Sequence, residues 1–249
     1  FATGVISNIG WLPQDAASPR VAPIIRSPRM LRIYGHPFAA FFWKAAIAAY
    51  ERNVPFEFMM CDQDDPENGA FIRKAGPGGQ FPVLDHDGRV VIESAAIIEY
   101  LDLHFGDAPP MVPADPRAAI EARQMDGVFD DYVMAFVNRM VFAVLRPPEK
   151  RDPHVEAEVK AGLDKSYPWL DKWFTGRTWA ANETFSIADI AAVPALHYAH
   201  WAFPIPAEHK NLLAYRARLM ARPSVRRVLD EAKPYRDFFP LKDRGPCPD

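Results

Sequence analysis

The sequence predicts an α/β domain followed by an all-helical one. Three observations carry that expectation. Strand and helix signals alternate from Leu31 to Leu103, a Pro-rich stretch from Asp107 to Asp115 then breaks the pattern, and only helical periodicity follows. The 249 residues, 49% hydrophobic and 24% charged, suffice for one large or two small domains with real cores.

Leu31 to Tyr34 reads as a short buried strand, Pro37 to Glu51 as a helix rich in Ala and aromatics, and Pro55 to Met60 as a second strand. Strand, helix and strand within about thirty residues make a βαβ unit, which requires a parallel pair joined by a right-handed crossover. Pro66 to Lys74 is a short helix. Pro82 to Asp85 and Val90 to Glu93 form a hairpin about Asp87-Gly88, a strong turn signal. Ser94 to Leu103 is a helix with Ile97, Ile98 and Leu101 on one side. This order is that of a thioredoxin-like domain, expected over residues 30–106, with 107–115 as linker.

Helices are expected over residues 116–235. Asp115-Pro116 supplies an N-cap followed by Pro at the first helical position. Met125, Phe129, Tyr132 or Val133, Phe136 and Met140 recur at helical spacing, as bundle core does. Val155, Val159, Leu163, Leu170 and Trp173 mark another helix, which Pro168 should kink. In Phe185-Ser186-Ile187-Ala188-Asp189-Ile190, Ser186 and Asp189 form a capping box, and Phe185 and Ile190 fit a hydrophobic staple. Two last helices, Leu212 to Met220 and Val225 to Ala232, flank Arg222-Pro223. The tail over 236–249 either wraps back or stays loose. Residues 1–29 lack sustained periodicity and a signal-peptide pattern. They are expected to be an extension, a tag remnant or an over-long gene start, with the domain beginning near Met30.

Composition narrows the function. The formal net charge of −3 gives no basic footprint for nucleic acid. No apolar run approaches ~18 residues, so no transmembrane helix is expected. Cys61 and Cys247 lie far apart, offer no metal spacing and fit a reducing, cytoplasmic setting as ordinary thiols. His197 and His200 have a ligand-like spacing on a helix but no third ligand, and aromatic packing explains them better. The glycines of Ala75 to Gly79 lack the Lys-Ser/Thr of a phosphate loop. Arg216, Arg218, Arg222, Arg226 and Arg227 read as a solvated helix face.

One constellation points to chemistry. Pro82 cannot donate to a sheet ladder, which places Phe81-Pro82 at a sheet edge, with a cis bond in view. Backbone groups left free there can pair with a peptide-like ligand. Glu93-Ser94 opens an apolar helix, and a helix N-terminus with a hydroxyl is a carboxylate site. The two segments describe a pocket for a small peptide with a free carboxylate.

Ala75 to Leu84, Glu93-Ser94 with its apolar helix, and Phe185 to Ile190, in this order, resemble the soluble glutathione S-transferase family over roughly Met30 to Tyr235. The resemblance implies the fold of that family, glutathione as co-substrate without a metal, a cytoplasmic homodimer, and a role in detoxification. It implies that Phe81 pairs by its backbone with the cysteinyl part of glutathione and that Pro82 sets the strand edge. Ser94 would hold the γ-glutamyl carboxylate and Glu93 would face the ammonium, with Gln80 as a further contact. Phe38, Phe129, Tyr132 and Phe136 are expected to wall the pocket for a small apolar electrophile.

The sequence departs from the family at the group that makes the thiolate. Aligned on Gly35-His36-Pro37-Phe38, the usual Ser/Cys position is Ala39, the usual Tyr position is Gly35, and Tyr34 stands one residue early, on the opposite face of its strand. Three readings stay open. The helix N-terminus, with or without His36 as donor or base, can lower the thiol pKa. A remote hydroxyl such as that of Tyr132 can reach the sulfur. Alternatively the protein binds glutathione or an apolar ligand without catalysis, and glutathione-dependent reduction or ether cleavage also stays open.

Overall fold

The computed structural model describes residues 30–106 and 108–248, so the expected extension over 1–29 lies outside the described residues. The first half holds β1 (Leu31–Gly35), α1 (Ala40–Glu51), β2 (Glu57–Met60), α2 (Pro66–Ala75), β3 (Val83–His86), β4 (Arg89–Ile92) and α3 (Ser94–His104). The sheet order is β2-β1-β3-β4. β1 runs parallel to β2, with Ile33 opposite Phe58, and antiparallel to β3, with Ile33 opposite Leu84. Asp87 and Gly88, both at positive φ, turn the β3–β4 hairpin as its Asp-Gly pair requires. Period-two alternation splits the sheet's side chains. Leu31, Ile33 and Leu84 join α1 and α3, while Tyr34 and Val83 pack with Ile72 of α2.

The second half holds α4 (Pro116–Phe129), a π-turn (Asp130–Met134), α5 (Ala135–Val144), α6 (Val155–Trp173), α7 (Ile187–Ala202), α8 (Lys210–Met220) and α9 (Pro223–Ala232). With the sheet and α3 of the first half, this is a thioredoxin-like layer followed by a helical bundle. α6 continues through Pro168, the residue expected to kink it, to Trp173. Asp189 closes the capping box of α7. Its carboxylate accepts from the Ser186 amide (2.9 Å), the Ala180 amide (2.8 Å) and the Tyr215 hydroxyl (2.7 Å). Burial still pushes its pKa up to about 6 against those donors.

One core runs through both halves because α1 is buried on all sides. Ala45, Ala46, Ile47, Ala48 and Ala49 are fully enclosed, and small side chains let the sheet and α3 close on one face and α7 on the other. Polar ties fix the join. Arg52 pairs with Asp102 (2.8 Å) and donates to the carbonyls of Phe105 and Pro109, and Asp102 accepts from the amides of Met111 and Val112. Arg222 pairs with Glu51 (2.6 Å). The arginine-rich stretch is therefore anchored rather than merely solvated: Arg216 donates to Pro248 O, Arg218 to Thr178 O, and Arg227 to Glu231. The tail wraps back, with the Trp201 indole donating to the carbonyls of Lys242 and Gly245.

The π-turn corrects the expected stripe. It fits one extra residue into a turn and rotates everything after it. Val133 and Val137 face the core, whereas Tyr132 is 59% exposed and Phe136 is half-buried against Gly162 of α6. A strictly helical period could not foresee that rotation.

Candidate functional site

Two cavities meet at the join of the halves. The first, about 470 Å³, is lined by Gly76 to Pro82, Glu93, Ser94 and Ala95, closed by Phe41 of α1 and Asp130 of the π-turn. The second, about 490 Å³, is lined by Phe38 to Phe41, by Met134, Asn138 and Phe142, and by Tyr198 and Phe239 among others. Phe41, Gly79, Gln80 and Phe81 belong to both walls. The two cavities therefore adjoin at these residues.

Each wall follows from local chain geometry. The Phe81-Pro82 bond is cis, but the two residues do not stand at a sheet edge as expected: β3 lies between β1 and β4, and Phe81 and Pro82 form the turn that enters it, outside the ladder registers, where a proline needs no ladder partner. Glu93 sits at φ 69 between β4 and α3, a left-handed conformation that turns the chain sharply into the helix. The first intrahelical bond of α3 runs from the Ile97 amide to Glu93 O (2.9 Å). The amides of Ser94, Ala95 and Ala96 precede it and have no intrahelical acceptor, which favours an anion there. Ser94 is itself buried.

Opposite that positive end lies an ion cluster the sequence did not announce. Lys44 of α1, fully buried, donates to Asp126 (2.9 Å) and Asp130 (2.6 Å). Two carboxylates face one ammonium, so the cluster carries a net negative charge. Burial pushes the Asp130 pKa up, and Lys44 opposes that. The cavity is thus anion-seeking at Ser94 and cation-seeking at Asp130, the polarity a zwitterionic amino-acid end requires. Nothing in linear spacing links residue 44 to residues 126 and 130.

The start of α1 borders the second cavity. Residues 37–39, expected to be helical, form a turn closed by the Ala39 amide on His36 O (2.9 Å), and the helix begins at Ala40. Its first bond is from the Trp43 amide to Ala39 O (3.1 Å), leaving the amides of Ala40, Phe41 and Phe42 without helical acceptors, and no side chain caps them. The turn is held from behind. Trp43 Nε1 donates to Pro37 O (2.6 Å), and the Tyr198 hydroxyl donates to Phe38 O (2.9 Å). Burial raises the Tyr198 pKa well above its ordinary value, so the phenol stays protonated in that bond.

The sequence-derived residues divide. Gln80, Phe81, Pro82, Glu93 and Ser94 line one cavity together, and Phe38 lines the second. His36 lines neither. Its Nδ1 accepts from the Phe38 amide (3.1 Å), its ring stands edge-on to Tyr235 (4.8 Å), and burial lowers its pKa against the pull of Asp62. Phe129 is fully buried in the bundle core, and Tyr132 and Phe136 are turned away by the π-turn, so none of the three lines either cavity. Their places are taken by Met134, Val137, Asn138 and Val141, one rotation further on, and by Phe239 of the tail. Gly35 carries no hydroxyl and has no room for one, because a Cβ there would lie 2.3 Å from the Phe42 ring. His197 packs edge-on to Trp43 (5.1 Å), as aromatic packing predicts, whereas His200 Nδ1 accepts from the Ile205 amide. Among the described residues no cluster of three or more His, Cys, Asp or Glu side chains is placed to hold a metal, and no helix is long and apolar enough to cross a membrane.

Comparison with known proteins agrees with this geometry. The profile of the glutathione S-transferase N-terminal domain matches residues 33–109, and that of the C-terminal domain matches 133–223, together more than half of the chain. The sequence is 28% identical over 206 residues to glutathione S-transferase U25 of Arabidopsis thaliana, covering 79% of this chain and 87% of the relative. A glutathione S-transferase from Methylobacillus flagellatus, solved with GSH bound, superposes with a TM-score of 0.72 at 25% identity, covering 80% of this chain and 98% of that one. A glutathione S-transferase from Methylobacterium radiotolerans, in complex with glutathione sulfonate, superposes at 0.68 with 27% identity, covering 80% and 94%.

Proposed function

The chain belongs to the glutathione S-transferase family, and on that premise we propose that it seats glutathione in the first cavity and presents the sulfur to a small apolar electrophile in the second. The single observation that carries this reading is the shared wall of Phe41, Gly79, Gln80 and Phe81 between a cavity that holds Glu93, Ser94 and Asp130 and a mostly apolar one. The γ-glutamyl carboxylate takes the Ser94 hydroxyl and the open amides of α3. Its ammonium takes Glu93 and the negative side of the Lys44 cluster through Asp130. The cysteinyl backbone pairs with Phe81, and Gln80 contacts the peptide.

A free thiol near pKa ~8.5 is mostly protonated at neutral pH. With alanine at position 39 and His36 turned aside, the stabilising group in this reading is the uncapped N-terminus of α1, whose amides and dipole favour a thiolate. Holding the electrophile beside a formed thiolate supplies much of the rate. The missing hydroxyl is also the observation that favours a second reading, in which glutathione binds without activation. A pH titration of bound glutathione, followed by thiolate ultraviolet absorbance, separates them. A thiolate band well below the free thiol's pKa supports catalysis. Binding with no shift supports the second reading, and no binding overturns both.

The reading extends to a cytoplasmic homodimer acting in detoxification. A monomeric mass by light scattering at micromolar concentration would remove the dimer.

A further inference from the structure

The second cavity is lined mostly by apolar groups, and α5 with the π-turn supplies a long part of its wall. Met134, Asn138, Val141, Phe142 and Leu145 recur at helical spacing along that face. Asn138 stands in the middle of the stripe, where the period calls for an apolar residue. It is half-buried, and among the described residues its carboxamide has no hydrogen-bond partner. The nearby polar group of the same wall, the Tyr198 hydroxyl, has its proton committed to Phe38 O. Gln80 and the open amides of α1 also border this cavity but are assigned above to glutathione and its sulfur, so the Asn138 amide is the donor left to face rings such as Phe38, Phe41, Phe81 and Phe239.

A largely apolar cavity with one polar side chain left for its ligand discriminates in an asymmetric way. A ligand that only fills space strips water from the carboxamide and returns nothing, while a ligand with a matching atom restores the bond. Carbons that a thiolate attacks are activated by electron-withdrawing groups, and nitro, carbonyl and sulfonyl oxygens are acceptors. We propose that Asn138 is a specificity-determining residue whose amide donates to an oxygen acceptor on the electrophile, so that this protein's second substrates are aromatic-sized electrophiles bearing nitro, carbonyl or sulfonyl oxygen. The inference rests on the glutathione reading above and adds the chemical class of its second substrate.

The test uses the full chain and conjugates that occupy both cavities at once. Dissociation constants of glutathione, S-benzylglutathione, S-(2-nitrobenzyl)glutathione and S-(4-nitrobenzyl)glutathione are measured by calorimetry on the wild type, on Asn138→Leu and on the near-isosteric Asn138→Asp. The two nitro isomers place the acceptor at different depths. Expected is a loss of about tenfold or more for at least one nitro conjugate in both variants, with glutathione unchanged and S-benzylglutathione unchanged or tighter in Asn138→Leu. Equal changes for benzyl and nitrobenzyl conjugates, or no change in any, would overturn the role of Asn138 while leaving glutathione binding standing. Failure of the wild type to bind glutathione or any conjugate would overturn the underlying reading as well. Should Asn138→Leu not fold, Asn138→Asp alone decides, because it keeps the shape and removes the N–H.

Discussion

Replacing Gly35 by alanine tests the most tightly packed point beside the site. Alanine is ordinarily the better strand residue, since glycine loses more backbone entropy on folding, by about 0.5–1 kcal/mol. Gly35 ends β1 without a positive φ, so its backbone alone would accept the change. The packing does not. The added Cβ would lie 2.3 Å from Cδ2, 2.8 Å from Cγ and 3.1 Å from Cβ of Phe42, against ordinary carbon contacts of about 3.5–4.0 Å. Phe42 is 3% exposed, and because its own Cβ is also close, turning the ring relieves only part of the overlap. Overpacking of this kind costs about 1–3 kcal/mol. The expected net effect of Gly35→Ala is a destabilisation of roughly 1–2 kcal/mol, read as a lower urea midpoint at unchanged m-value. Adding Phe42→Ala should recover a coupling energy of about 1 kcal/mol in a double-mutant cycle. A Gly35→Ala midpoint equal to or above the wild type would refute the reasoning. The same overlap is worse for a larger side chain, so a tyrosine cannot simply be restored at position 35.

Three further outcomes are expected. Ala39→Ser adds a hydroxyl at an extended N-cap position that has no side-chain cap, and should stabilise the protein by about 1 kcal/mol while raising turnover of 1-chloro-2,4-dinitrobenzene with glutathione; if turnover does not rise, the sulfur is not seated at this helix end. Ser94→Ala removes a hydroxyl that lines the first cavity and meets the carboxylate in the proposed reading, and should weaken glutathione binding about tenfold or more by calorimetry, with a small change in unfolding midpoint; an unchanged dissociation constant removes Ser94 from the site. Burial, with Arg216, Arg236 and His200 adding positive charge, holds the His197 pKa down at about 3. Below the unfolded value near 6.5 the unfolded chain binds a proton that the native histidine refuses, so stability falls as pH drops from 6.5 toward 3, by about 2 kcal/mol at pH 5. His197→Leu should flatten the fall between pH 7 and 5 by that amount, and an identical slope would show that the ring is solvated.

Legibility in the sequence followed the range of the cause. Asp87-Gly88 announced its hairpin and Ser186 with Asp189 its helix start, because each is a contact between near neighbours. Gln80, Phe81, Pro82, Glu93 and Ser94 could be named together because they lie within fifteen residues, at the turn into one strand and the start of one helix. The second cavity was misread at Tyr132 and Phe136, since a π-turn is a backbone event with no side-chain periodicity of its own, and at Phe129, which precedes that turn and is spent on the bundle core. Aligning with the π-turn's acidic start, Asp130-Asp131, offers no advance signal either.

Local pattern, read along the chain, determined that a βαβ unit and hairpin precede a helical bundle, and that the Phe81-Pro82 turn and the Glu93-Ser94 helix start are the segments to examine together. Only the tertiary structure decided which side chains converge there. Lys44 meets Asp126 and Asp130 because α1 is enclosed between the halves, and a fully buried ammonium must find carboxylates nearby. His36 turns to Tyr235, Tyr198 reaches Phe38 O, and Asn138 enters the apolar wall because helices distant in sequence pack against one short turn. Periodicity along a chain encodes which face of an element is apolar, and the packing of the remote elements decides what that face meets.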